Sequence, residues 1–206
     1  MLGRFLTVVS GAVLATSVLL AQPAQAVPIT GGVTSVALTS ADTLAGLGIS
    51  VAPLGIATLT PGDPPVAAFP ITGGDVNPNT GDALIEHDGS GLRLANSAVV
   101  DLENFLIDTA AGLLSGLVTI DGGVVGVIPI FDIGPGLSLA LTDLAADALE
   151  QAFELDGVEL NGFVVGNASV DVQVPEPSTW LLLGFGAAAI FMANARRRCR
   201  RPSPDA

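Results

Sequence analysis

The sequence predicts a mainly β fold: an antiparallel sandwich or barrel-like body with one or two short helices, preceded by a signal helix and followed by a transmembrane helix. Three observations carry this. Short runs of Val, Ile, Leu and Thr recur at intervals of roughly 8–12 residues, the spacing of sandwiches and barrels. Clusters of Gly, Pro, Asn and Asp separate them as turns. Apolar segments flanked by arginine stand at both ends of the chain.

Residues 1–26 read as a secretory signal peptide. Arg4 supplies the positive start, Leu6 to Leu20 the apolar stretch, and Ala24-Gln25-Ala26 a small-x-small cleavage site for signal peptidase. The apolar run is shorter than the roughly 20 residues a membrane span needs. The mature chain is therefore expected to begin at Val27, outside the cytoplasm.

Residues 27–173 form the expected extracytoplasmic domain. Its strands are placed at Val33–Thr39, Ile49–Leu59, Ala83–His87, Leu92–Leu94, Ala98–Leu102, Leu113–Asp121, Val124–Phe131, Leu137–Leu141 and Phe163–Val172. Pro61-Gly62-Asp63-Pro64-Pro65, Asn77 to Gly81, Asp88-Gly89-Ser90-Gly91 and Asp121-Gly122-Gly123 are the turns. Thr142 is placed to cap a helix over Asp143–Phe153, with Leu144, Ala148, Leu149, Ala152 and Phe153 on its apolar face. Ser40 is placed to cap a shorter one through Leu47. Pro28-Ile29-Thr30-Gly31-Gly32 recurs as Pro70-Ile71-Thr72-Gly73-Gly74, which reads as two similar strand-to-turn junctions.

Charge is segregated. There is no lysine, and 18 acidic residues of the domain face a single arginine, Arg93. A polyanion is repelled by nucleic acid and by anionic lipid headgroups, so nucleic-acid binding is not expected. The only cysteine, Cys199, lies in the basic tail, so the domain has neither a disulfide nor a thiolate zinc site.

Two stretches of the domain carry residue types suited to chemistry. Asp75, Asn77, Asn79 and Glu86 stand at positions 1, 3, 5 and 12 of a stretch that echoes a calcium loop, where oxygen ligands suit a hard cation. Thr80 occupies the place where such a loop needs glycine, and an Asx-rich hairpin turn is the competing reading. His87 is the only histidine, within Glu86-His87-Asp88-Gly89-Ser90-Gly91. Neighbouring strand residues point to opposite faces, and no Gly-x-Ser-x-Gly elbow is present. His87 is expected at the surface or stabilising a turn, and the chain is not expected to be an enzyme or to need a cofactor.

The C-terminal region has three parts in order. Val174-Pro175-Glu176-Pro177 should be extended, because proline fixes φ and disfavours helix before it. The apolar run Ser178–Ala195 would rise roughly 27 Å as a helix, close to a bilayer core of about 30 Å. Arg196, Arg197, Arg198, Arg200 and Arg201 follow as a stop-transfer cluster, which the positive-inside rule places in the cytoplasm with the tail 202–206.

The order Pro175-Glu176-Pro177, apolar helix, arginine cluster, in a chain with a signal peptide, resembles the PEP-CTERM sorting signal of Gram-negative bacteria, over residues 174–201. The resemblance implies recognition at Pro175, Glu176 and Pro177 by an exosortase, a membrane cysteine protease. It implies an inner-membrane precursor whose tail is removed, and delivery of the body to the cell surface or an exopolysaccharide matrix. The body, through Gly81 to Leu94 and Leu139 to Thr142, resembles the β-rich haem-binding domains of bacterial surface haem-transport proteins. A tyrosine commonly ligates the iron in that family and this chain has none, so the resemblance is carried for the fold alone. Two alternative readings stand beside this one: a ligand-binding surface module, with haem or calcium as its ligand, and an uncleaved single-span anchored protein.

Overall fold

The computed structural model describes residues 26–175. The expected signal helix, the transmembrane helix, Glu176, Pro177 and the five C-terminal arginines lie outside the described residues. Among the described residues, no helix is long and apolar enough to cross a membrane.

In chain order the elements are β1 (Val27–Pro28), β2 (Gly31–Ala37), α1 (Ala41–Gly46), β3 (Ser50–Gly55), β4 (Thr58–Thr60), β5 (Val66–Pro70), β6 (Gly73–Val76), β7 (Ala83–Ala95), β8 (Val99–Asp108), β9 (Leu113–Ile120), β10 (Gly123–Ile133), β11 (Ser138–Leu141), α2 (Asp143–Ala152) and β12 (Val164–Gln173). A 3-10 turn, Pro135–Leu137, precedes β11. All strand pairings are antiparallel and belong to one curled sheet, a half-barrel, in the order β1-β6-β7-β8-β9-β10-β11-β12-β2-β5-β4, with β3 alongside β7. The core lies on the concave face, where Val36, Phe69, Ile85, Val100, Leu114 and Leu139 are buried.

The stretch expected to turn at Asp88-Gly89-Ser90-Gly91 instead continues as one strand. β7 carries a bulge between His87 and Gly91, and β8 carries one opposite it, between Glu103 and Leu106. Each bulge adds residues on one strand and shifts the inward-facing parity. Thus Ile85 and His87 point inward before the β7 bulge, and Ser90, Leu92 and Leu94 after it. On β8 the inward set passes from Val100 and Leu102 to Phe105 and Ile107. Asn104 adopts φ 54°, which Asn tolerates, and its side-chain oxygen accepts from the Gly89 N–H at 2.8 Å. The bend lets β7 pair with β6 in its first half and with β3 in its second.

Other boundaries also moved. Ile49–Leu59 divides into β3 and β4, and Ala98–Leu102 extends to Asp108. β1, β5 and β6 lie outside the expected strands: β1 and β5 are short proline-bounded runs that pair with the distant β6 and β2, and β6 is a short glycine-led run that forms the first arm of a hairpin with β7. Ser40 does not cap α1: its hydroxyl donates to the Val165 carbonyl at 2.9 Å. Thr142 does cap α2, accepting from the Ala145 N–H at 3.2 Å and donating to the Pro129 carbonyl at 2.9 Å. The face α2 buries is Ala145, Ala146 and Leu149, with Phe153 just beyond it, while Leu144 is 54% exposed. The helix closes one end of the concave face against Val100, Val118, Ile128 and Ile130, and its two alanines permit that close seat.

The two Pro-Ile-Thr-Gly-Gly segments are equivalent crossings between the far ends of the sheet. The Ile29 N–H donates to the Gly74 carbonyl (2.9 Å), and the Ile71 N–H to the Gly32 carbonyl (3.0 Å). The Thr30 and Thr72 N–H groups each donate, at 2.8 Å, to a carbonyl of the adjoining strand, Gln173 and Glu86 respectively. Gly32 (φ +129°) and Gly74 (φ +118°) match as well: a Cβ on either would lie 2.0 Å from a carbonyl oxygen, that of Asp171 or of Leu84. Only glycine fits both the conformation and the approach.

Candidate functional site

The C-terminal junction is built by β12. Its second half pairs with β2 up to the register Gln173↔Gly31. The Gln173 carbonyl accepts from the Thr30 N–H at 2.8 Å and from the Thr30 hydroxyl at 3.1 Å. Val174 and Pro175 then leave the sheet and are exposed. Pro175 is the one residue of the expected Pro175-Glu176-Pro177 motif within the described residues, and it stands on exposed chain that pairs with no strand among them.

The buried polar cluster lies elsewhere, inside the half-barrel. His87 is expected at the surface or in a turn, yet it is 1% exposed, because it lies within β7 two residues after Ile85 and so shares its inward face ahead of the bulge. Its Nδ1 lies 3.2 Å from the Phe105 carbonyl and its Nε2 2.8 Å from Thr34 Oγ1. A carbonyl only accepts, which assigns the proton to Nδ1 and makes Nε2 the acceptor of the Thr34 hydroxyl. The neutral ring thus has both nitrogens engaged. The Ser90 hydroxyl donates to the His87 carbonyl at 3.0 Å. Phe69 packs edge-on against Phe105 and His87, with ring centroids 5.2 and 6.4 Å apart. Burial lowers the His87 pKa from its ordinary value of 6.5; the Phe105 carbonyl and the Asp88 charge oppose this and do not reverse it. The adjoining cavity measures about 30 Å³, with Val36, Leu92, Phe131 and Leu139 among its walls. That is room for about two waters, not for an organic ligand.

The calcium-like residues sit at the β6–β7 hairpin. Asp75 is on β6 opposite Leu84, and Glu86 is on β7 opposite Gly73. Asn77 and Asn79 are in the turn, where Asn77 Oδ1 accepts from the Asn79 N–H at 3.0 Å, an Asx turn. The turn closes with the Asn77 N–H on the Asp82 carbonyl at 2.7 Å. Among the described residues, no group of three or more His, Cys, Asp or Glu side chains is arranged to hold a metal. The domain's one basic side chain, Arg93, is engaged on the outer surface by both Asp101 oxygens at 2.7 Å.

Sequence reasoning missed Thr30 and Thr34. Thr30 carried a legible signal, because it lies in the repeated Pro-Ile-Thr-Gly-Gly segment. Thr34 carried none; only the pairing of β2 with β5 and β12 brings it under His87.

Comparison with known proteins bears on both ends of this description. Residues 173–198 match the sequence model of the PEP-CTERM protein-sorting motif. No curated protein matches the chain. Among solved structures, the chain is similar to the C-terminal domain of HtaA from Corynebacterium glutamicum, with a TM-score of 0.52 and 12% identity, over 72% of this chain and 99% of that one. At that identity the likeness shows the fold alone. The chain thus carries a PEP-CTERM protein-sorting motif, borne by a curled antiparallel β body similar in fold to that HtaA domain.

Proposed function

We propose that this is an exported surface or matrix protein of a Gram-negative bacterium, sorted through its C-terminal motif and cut there by an exosortase. The observation that carries the reading is the motif match over residues 173–198, behind a chain that opens with a signal-peptide pattern. Signal peptidase acts at Ala26, the precursor is held in the inner membrane, and the acidic body is released to the surface or to exopolysaccharide. Exposed chain at Val174 and Pro175 suits such processing, because a protease needs unpaired backbone. Mass spectrometry of the protein from its native host should find Val27 at the N-terminus and no peptide beyond Pro177. Intact peptides spanning Trp180 to Ala193 on surface-located protein would refute the cleavage.

The resemblance to haem-transport domains favours one second reading, a ligand-binding module, with calcium as the other candidate ligand. The chain lacks a tyrosine, and both His87 nitrogens are already bound within the protein. We propose a body with no cofactor and no catalytic role. A haem titration should give no Soret shift, and millimolar calcium should leave the melting temperature unmoved; a response to either ligand favours the second reading.

A further inference from the structure

The folded body ends where the sorting motif begins. Gln173 is both the last residue of β12 and the first residue of the matched motif. Its carbonyl takes two hydrogen bonds from Thr30. Behind that clamp, Gly32 and Val33 pair with Val172 and Asp171. Val174, 45% exposed, follows with no ladder partner among the described residues. An extended residue spans at most roughly 3.6 Å, so Pro175 stands roughly 7 Å from the clamp.

A protease binds its substrate as an extended strand whose backbone groups are free to pair with the enzyme. Backbone already paired within the sheet is not available, since each residue has one donor and one acceptor. We propose that the Thr30–Gly32 strap is a positioning element for C-terminal processing, setting the limit of cleavable chain at Val174 so that every cut falls on the motif's side of Gln173. Thr30 acts through Gln173 and touches no reacting atom. The assignment rests on the reading that the motif is processed.

The second Pro-Ile-Thr-Gly-Gly segment supplies a matched control. Gly32→Ala and Gly74→Ala each drive a Cβ to 2.0 Å from a backbone oxygen at positive φ. The first pries β2 from the end of β12; the second pries β6 from β7. The test is digestion of the full chain, purified in detergent, with proteinase K, reading product masses over time. The wild-type body should retain C-termini at Val174 or beyond. Gly32→Ala should speed cuts before Val174 by roughly tenfold, because cleavage follows the population of the opened strand end. Gly74→Ala, at a comparable loss of melting temperature, should keep the wild-type limit. Should either glycine variant fail to fold, Thr30→Val and Thr72→Val form a milder pair, in which the control gives up two hydroxyl hydrogen bonds, to the Glu86 carbonyl and from the Asp88 N–H, and Thr30 gives up one. Loss of one hydrogen bond should give Thr30→Val a rise of roughly two- to tenfold, and Thr30→Ser should restore the limit. Equal upstream cutting in the paired variants, or wild-type ends already before Val174, overturns the proposal. An uncut tail on surface protein in the native host overturns the processing reading instead, and leaves the proteinase K limit where it was.

Discussion

His87 occupies the apolar interior with both ring nitrogens bonded, and its titration opposes folding at acid pH. Burial lowers its folded-state pKa below 6.5. Well above pH 6.5 the ring is neutral in both states and contributes nothing to the pH dependence. As pH falls from 6.5 towards the lowered folded value, the unfolded chain takes up a proton that the folded chain refuses, so stability is lost over that window. Melting temperature measured against pH should therefore fall less steeply in His87→Leu than in the wild type. Thr34→Val leaves Nε2 without its donor inside the core and should cost about 1–3 kcal/mol in denaturant unfolding. The two substitutions should be strongly non-additive, because they remove the same bond. The sequence marked His87 as singular but not as buried: it sits inside a strand that runs on through a bulge, where Asp88-Gly89-Ser90-Gly91 reads as a turn.

α2 was legible as an element and misread as a surface. Its cap at Thr142 and its span follow from local rules, and the cap is present. Thr142→Ala should cost about 1–2 kcal/mol, since the hydroxyl satisfies both a helix N–H and the Pro129 carbonyl. The buried face follows from the angle at which the helix meets the sheet, and it selects Ala145 and Ala146 over Leu144. Leu144→Lys should consequently stay within about 0.5 kcal/mol of the wild type by chemical denaturation. The strands divide in the same way. β9 and β12 were near their expected bounds because their turn signals are local. β5 needed β2, remote in sequence, and β6 is held between the remote β1 and its hairpin neighbour β7. β10 pairs with β11 only from Phe131 onward, leaving Val124 and Val127 (72% and 70% exposed) on a free, uncharged edge. Such an edge invites pairing between chains, so Val127→Lys should reduce light scattering at high protein concentration without moving the melting temperature.

For the whole molecule, 18 acidic residues against Arg93 make the body a polyanion, and that one cation is already paired with Asp101. Self-repulsion of this kind is screened by salt, with a Debye length of about 30 Å at 0.01 M and about 8 Å at 0.15 M. The melting temperature should rise over that range; a fall would show that attractive pairs dominate. The sequence alone determined the sorting motif, the segregation of charge and the predominance of antiparallel strands, because each is written in contiguous residues or in composition. Tertiary structure alone decided which residues face inward, where β7 and β8 bulge, how the two Pro-Ile-Thr-Gly-Gly crossings close the sheet, and that the body is clamped up to Gln173, where the motif begins. A strand's alternation names two faces without saying which is buried. That choice is made by pairing with strands distant in the chain, and a single bulge reverses it.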